Sequence, residues 1–375
     1  MTAVAPASSP RSLSTGEGTP SANSEAPRWL LYGANGYTGE LIAREAVRRG
    51  LKPILAGRST ARVRALAKEL GCEARAFSLT DQTATLIALQ DVVAVLNCAG
   101  PFSATAGLMM QACLVSHVHY LDITGEIDVF ELAHSLGEKA QRARIVLCPG
   151  VGFDVVPTDC VAAKLKLSLP DATHLVLAFE GKGRPSVGTQ KTLIEYLHQG
   201  GCVRREGVLV RESLAERVRR IDLGEGERDA ISIPWGDVST AYYTTGIPNI
   251  ETYVAGSAEA AQQMRKAWRW RKLMRTGVMQ WFLKSAAARG PQGPTEAERN
   301  NNPTFVWGEA RNASGAKKVA HLRTANGYAV TVHAALGVLA RLLQGDLVYG
   351  FVTPARMVGI EFIESLPGSS KIRIE

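Results

Sequence analysis

A chain of 375 residues is longer than one compact core usually supports, so two domains are expected. Its 46% hydrophobic and 21% charged content is that of an ordinary globular protein and excludes a fibre or a disulfide scaffold. A net charge of +8 leaves nucleic acid, a membrane surface and an anionic ligand open as partners, to be separated by where the charge lies.

The six cysteines are scattered without a C-x-x-C pair, and two lie inside apolar runs, as buried reduced thiols would. No window reaches the ~18 apolar residues of a spanning helix, and the N-terminus lacks the apolar core of a secretory signal. A cytoplasmic protein is expected.

Residues 1–27 are rich in Ser, Ala, Pro, Gly and Thr, and cannot bury enough surface to offset their ordering entropy. They read as a disordered tail. From 28 to 152, "WLLYG", "PILAG", "ARAFSL", "VVAVLNCAG", "HYLDITG" and "RIVLCPG" alternate with helical stretches, the last over Val129–Arg142. Apolar strands joined by crossover helices predict an α/β domain, a Rossmann-type doubly wound parallel sheet of about six strands.

The rhythm changes over 153–327. "HLVLAFEG", "GVLVRE", "RDAISIPWGDVSTAYYTTG" and "IETYVAG" read as longer strands without a helix between each pair. They predict a second, α+β domain with a mixed or antiparallel sheet, for substrate or dimer contacts. Within it Ala258–Arg289 reads as helix and "GPQGPTEAERNNNP" as a polar loop, and two strands flank Gly315. A long helix pattern over Tyr328–Leu343 opens the C-terminal segment, 328–375.

Chemistry concentrates at the ends of the early strands. Gly33, Gly36 and Gly39 close the first strand and open a helix as G-x-x-G-x-x-G, with Asn35, Tyr37 and Thr38 between them. Such a turn brings a pyrophosphate against the backbone and the helix N-terminus. The second strand ends in Ala56-Gly57-Arg58-Ser59, where an NAD enzyme usually carries an acid to hold the ribose hydroxyls. Arg58 and Ser59 suit a 2′-phosphate instead, so NADP(H) is the expected cofactor. After the fourth strand, Ala99, Gly100, Pro101 and Phe102 would border the nicotinamide half.

Together "YGANGYTGELIA", "LAGRS", "NCAGPF", "YLDITGE" and "PGVGFDVVPTD" resemble the saccharopine dehydrogenase-like oxidoreductases, in the branch that includes the trans-acting enoyl reductases. The resemblance runs from Trp29 to "YGFVTPARMVGIEFIESL" and is weakest between Arg204 and Gly290. It implies the same cofactor residues and an inserted second domain, with the last helix returning to the first. It also implies reduction of a conjugated C=C in a lipid or polyketide-type acyl substrate, carrier- or CoA-bound. The family name allows an imine reductase as the alternative, with Arg184 and Arg323 as candidate carboxylate partners. A non-catalytic NADP(H)-binding regulator is the third reading.

Three groups are candidates to deliver the proton that accompanies a hydride: Asp122, Asp154 and Tyr120. The competing role for the carboxylates, Glu126 included, is to cap backbone N–H groups. No zinc spacing, nucleophile elbow or Tyr-x-x-x-Lys pair is present, so no metal is expected. Residues 265–289 are basic and aromatic without an acid, a pattern that suits peripheral membrane contact or an acidic carrier. Nucleic acid is set aside because no recognition motif accompanies the charge. A homodimer is left open.

Overall fold

The computed structural model describes residues 27–181, 185–196, 199–224, 226–290 and 293–375. All but the last residue of the tail read as disordered, and Arg184, lie outside them.

The apolar runs become β1 (Trp29–Tyr32), β2 (Ile54–Gly57), β3 (Ala74–Ala76), β4 (Ala94–Asn97), β5 (His119–Asp122) and β6 (Val146–Cys148). Between them run α1 (Tyr37–Arg48), α2 (Thr60–Leu70), α3 (Gln82–Ala88), α4 (Phe102–Ser116), α5 (Ile127–Ser135) and α6 (Gly137–Arg142). β1, β2 and β4 are buried at every residue because helices cover both faces. Ile42, Ala43 and Ala46 of α1 pack with Leu31 and Leu55 on one face. Ala106, Met109 and Met110 of α4 pack with Leu30, Tyr32 and Val95 on the other. The single helix expected over Val129–Arg142 is two, with the break at Leu136–Gly137.

The second domain begins with α7 (Val156–Ser168) and β7 (Ala172–Gly181), followed by α8 (Val187–Tyr196). Then come β8 (Gly201–Arg205), β9 (Val208–Glu212), β10 (Val218–Asp222), β11 (Glu227–Ser232), α9 (Asp237–Thr245) and β12 (Asn249–Ala255). The basic stretch forms α10 (Ala258–Trp268), α11 (Arg271–Met274) and α12 (Gly277–Ala288). α13 (Glu296–Asn301), β13 (Thr304–Asn312) and β14 (Lys317–Thr324) complete the insertion. The sheet runs β10-β11-β12-β7-β13-β14, with β8 and β9 branching from β12. It is mixed, because β7 and β12 pair in parallel while β13 meets β7 and β14 antiparallel.

Further segments depart from the sequence reading: the loop expected through "GPQGPTEAERNNNP" holds α13, opened by the Thr295–Glu298 capping box, and the helix expected over Ala258–Arg289 is three. The strand expected through "WGDVSTAYYTTG" stops at Ser232, and Asp237–Thr245 is helical. Its β-branched and aromatic residues favour a strand locally, but Val238 and Ala241 bury into the core that α7 also lines, and packing prevails. α7 itself is buried almost all round, so it shows no amphipathic period.

The C-terminal segment ties the domains together. α14 (Gly327–Leu343) places Val330 and Ala334 in the second-domain core, and Ala335, Leu336 and Leu339 in the core that α1 shares. Beyond it β15 (Gly350–Phe351) adds a seventh parallel strand beside β6. The first sheet therefore runs β15-β6-β5-β4-β1-β2-β3. β16 (Arg373–Ile374) closes the second sheet against β14.

Candidate active site

β2 lies on one side of β1 and β4 on the other, so the strand order reverses at β1. Doubly wound sheets open a ligand crevice at that point, beyond the carboxyl ends of the strands. Gly33 turns the chain there with φ +80°, and a Cβ on it would lie 2.7 Å from the backbone N of Ala99. A Cβ on Gly39 would lie 2.3 Å from the carbonyl oxygen of Gly33. These two glycines hold the turn tight against β4 and α1 tight against the turn. Gly36 caps α1 without a side chain, which leaves the first N–H groups of the helix to an anion.

The residues after β2 suit a second phosphate. Arg58 is exposed, and among the described residues no carboxylate pairs with it. Ser59 caps α2 with its backbone alone, its hydroxyl making no capping hydrogen bond. Asn35 leans over the same edge: a Cβ on Gly57 would lie 2.8 Å from its Oδ1. A glycine cradle, an uncapped helix and an unpaired guanidinium together fit NADP(H).

Tyr37 acts differently from its neighbours. Its phenol donates to the carbonyl of Pro294 at 2.5 Å, accepts from Arg299 Nη1 at 2.9 Å, and stands edge-on to Tyr328. The side chain is thus committed to the second domain, and the backbone N–H is what Tyr37 offers at the turn.

The loop after β4 is fixed by polar side chains. Asn97 Oδ1 accepts from the N–H of Ala99 at 3.0 Å, and the Thr105 hydroxyl donates to the carbonyl of Ala99 at 2.6 Å. The Glu126 carboxylate accepts from the N–H groups of Phe102 (2.9 Å) and Ser103 (2.6 Å), capping α4 from outside the helix. That is the capping role open to Glu126 from sequence. Asn97 and Thr105 were not singled out there; the signal was an asparagine closing an otherwise apolar strand.

Of the three proton-donor candidates, two lie behind the site. Asp122 is fully buried and accepts from the Tyr120 hydroxyl at 2.7 Å and from the N–H groups of Thr124 (3.0 Å) and Gly150 (2.8 Å). Burial pushes its carboxyl up to about 6. Tyr120 is equally sealed, and burial first, then the Asp122 charge, holds its phenol well above the usual range. Neither lines the cavity beside the cofactor turn. Their oxygens splice β5 to the loops that follow β5 and β6.

Asp154 does line it. Trp235 Nε1 donates to its backbone carbonyl at 3.0 Å, and the Thr331 hydroxyl accepts from the adjacent N–H of Phe153 at 3.0 Å, so the loop is held from two sides. Among the described residues its carboxyl has no hydrogen-bond partner, and burial pushes it up to about 7. Asp237, which the sequence pattern places within a strand, is fully buried, and burial pushes its carboxyl up to about 8.

The cavity measures about 530 Å³. Thr38 and Gly100 form its cofactor end, and Phe102, Phe153, Phe179 and Trp235 supply much of its apolar wall. Tyr328 and Asn326 of the α14 start complete it. Among the described lining residues there is no Lys or Arg. Arg323 is exposed on β14 and does not reach it. Among the described residues no group of three or more His, Cys, Asp or Glu could hold a metal.

Residues 29–148 match the family model described as the saccharopine dehydrogenase NADP binding domain. Yeast saccharopine dehydrogenase (L-Glu forming) superposes on 93% of this chain and all of its own with a TM-score of 0.62 at 11% identity, so the saccharopine dehydrogenase fold extends through the second domain. A Mycobacterium tuberculosis protein provisionally named a trans-acting enoyl reductase is 32% identical over 186 residues, 45% of this chain and 43% of that protein. The mouse saccharopine dehydrogenase-like oxidoreductase is 27% identical over 150 residues, 35% of each chain. These alignments span less than half the length of either relative.

Exposed after β2 and without a carboxylate partner among the described residues, Arg58 is the position at which preference for a 2′-phosphate can be tested. Arg58→Ala is expected to weaken NADPH binding about ten- to hundredfold, the worth of one charge-assisted pair, and to leave NADH binding unchanged. Fluorescence titration of both nucleotides checks this.

Proposed function

We propose that the protein is an NADP(H)-dependent oxidoreductase that reduces the conjugated C=C of a hydrophobic acyl thioester. The observation that carries this reading is the cavity. It is lined by Gly100 and Thr38, is walled by aromatic side chains, and holds the Asp154 carboxyl, which burial pushes up to about 7, beside the helix-capping Glu126.

NADPH, when bound along Gly33–Gly39 and Arg58, supplies the hydride. The chain supplies the rest. The apolar wall orients the acyl chain and excludes water, and the fixed loop from Asn97 to Phe102 sets the face presented to the substrate. Hydride addition at the β-carbon leaves an enolate, and protonated Asp154 returns a proton to the α-carbon; one hydride and one proton saturate the bond. A carboxyl held near 7 is still substantially protonated at neutral pH, as a general acid requires. The relatives named as trans-acting enoyl reductases support this choice of reaction.

The imine alternative needs cations facing a substrate's carboxylates, and the described lining has none. The two readings separate in one assay. NADPH oxidation is expected with trans-2-enoyl thioesters, rising with acyl length, and not with an amine and a 2-oxo acid. Turnover of the second pair alone would replace the acyl reading. NADPH binding with no turnover of either would favour a regulator.

A further inference from the structure

The basic stretch is absorbed by neither the fold nor the cavity. Residues 265–289 contain eight Lys and Arg and no acid. Within α11, α12 and the turn before them, Trp270 is 69% exposed, Val278 80%, Trp281 70% and Phe282 60%. Side chains of this size usually bury, and Val278, Trp281 and Phe282 stand three and four positions apart on α12, along one helix face. Among the described residues no carboxylate pairs with Arg269, Arg271, Lys272 or Arg275. The last three line an open cleft of about 820 Å³, whose other cation, Arg211, is met by Asp128 at 3.4 Å.

We infer that this face docks on an anionic phospholipid bilayer, with the aromatic residues at acyl depth and the cleft receiving headgroup phosphates. Charge and shape select that occupant together. The unpaired cations call for a polyanion, and the Trp and Phe side chains between them call for an apolar phase beside it. Among the described residues no helix is long and apolar enough to cross a membrane, so the contact lies along the surface.

The same face adjoins the cavity. Gln280 of α12 donates through Nε2 to the carbonyl of Ile194 at 3.2 Å, joining α12 to α8. The start of α8, Gly188 and Thr189, lines the cavity, as does Met264 of α10. An acyl chain leaving the bilayer at this face would meet the elements that wall the cavity. This delivery role rests on the acyl reading; the bilayer contact does not.

Vesicle cosedimentation of the full chain tests the contact without any turnover assay. Binding is expected with phosphatidylcholine–phosphatidylglycerol vesicles, and not with phosphatidylcholine alone or at high salt. Brominated lipid is expected to quench part of the tryptophan fluorescence. The triple variants Trp270→Ser/Trp281→Ser/Phe282→Ser and Arg271→Gln/Lys272→Gln/Arg275→Gln are each expected to bind at least about tenfold more weakly. Their NADPH affinity should be unchanged, since every substituted side chain is solvent-facing, and that affinity reports folding. Absent binding to the mixed vesicles, or equal binding by folded variants, overturns the inference. So does an acidic acyl-carrier protein that occupies the face when vesicles do not. Enoyl turnover without vesicle binding would sink the bilayer contact and leave the proposed reaction standing.

Discussion

Replacing Asp154 by asparagine is expected to lower kcat for an enoyl thioester about 10²–10⁴-fold, the usual worth of a positioned general acid. Cofactor affinity should hardly move, because Asp154 lines the cavity from the loop after β6 and is no part of the glycine turn. The pH profile carries the sharper test. Burial holds the carboxyl up to about 7, so the wild-type rate is expected to be level below that pH and to fall above it as the proton is lost. The variant should show a low rate without that fall.

Stability follows the same pH direction, but the substitution acts on it with the opposite sign. The folded chain keeps this proton to a higher pH than the unfolded chain, whose aspartates titrate near 4. The group's contribution is therefore full at acid pH and is lost as pH rises through about 7. Asp154→Asn should be at least as stable as wild type in alkaline buffer, and a thermal melt checks it. Loss of activity through unfolding would show as the reverse. The same comparison for Asp122→Asn is expected to show a stability cost at every pH, because an amide cannot accept from Tyr120, Thr124 and Gly150 as the carboxylate does.

Gly39→Ala is the second large effect. Its Cβ would sit 2.3 Å from the Gly33 carbonyl oxygen, a backbone atom that can move only if the turn moves. α1 would have to slide away from β1, costing about 1–3 kcal/mol of stability and opening the N–H cradle. NADPH affinity is expected to fall at least about tenfold, as calorimetric titration would measure. Gly277→Ala is the control: a Cβ there meets nothing within 4 Å, and neither stability nor affinity should change beyond error.

Much of the first domain was legible because its signals are local. A strand, three glycines and a helix follow one another in a single stretch, and Arg58 stands where the second strand must end. The second sheet could be read from strand-rich runs, but α8 and α9 between its strands and the parallel pairing of β7 with β12 could not. What could not be read depends on distant partners. β15 is two residues long and exists only because β6 offers an edge. α9 is built from residues that favour strands and is helical because α7 buries it. Asp122 and Asp154 look alike in sequence, each near a glycine-rich turn. The Asp122 carboxyl is consumed by three donors and that of Asp154 is left facing a cavity, a difference set by residues from β5, the loop after β6, the loop before α9, and α14. The phenol of Tyr37, reaching Pro294 and Arg299, likewise shows a contact that no local pattern encodes.

The most direct test follows the atoms. NADPH carrying deuterium at the transferable position of C4 is incubated with a trans-2-enoyl thioester in ordinary water, and the product is read by mass spectrometry and NMR. One deuterium at C3 and a solvent-derived proton at C2, formed by wild type and nearly abolished in Asp154→Asn, is the expected result. Enoyl thioester recovered unchanged, with deuterium appearing instead on the carbon of the reduced imine in a parallel incubation with an amine and a 2-oxo acid, would contradict it.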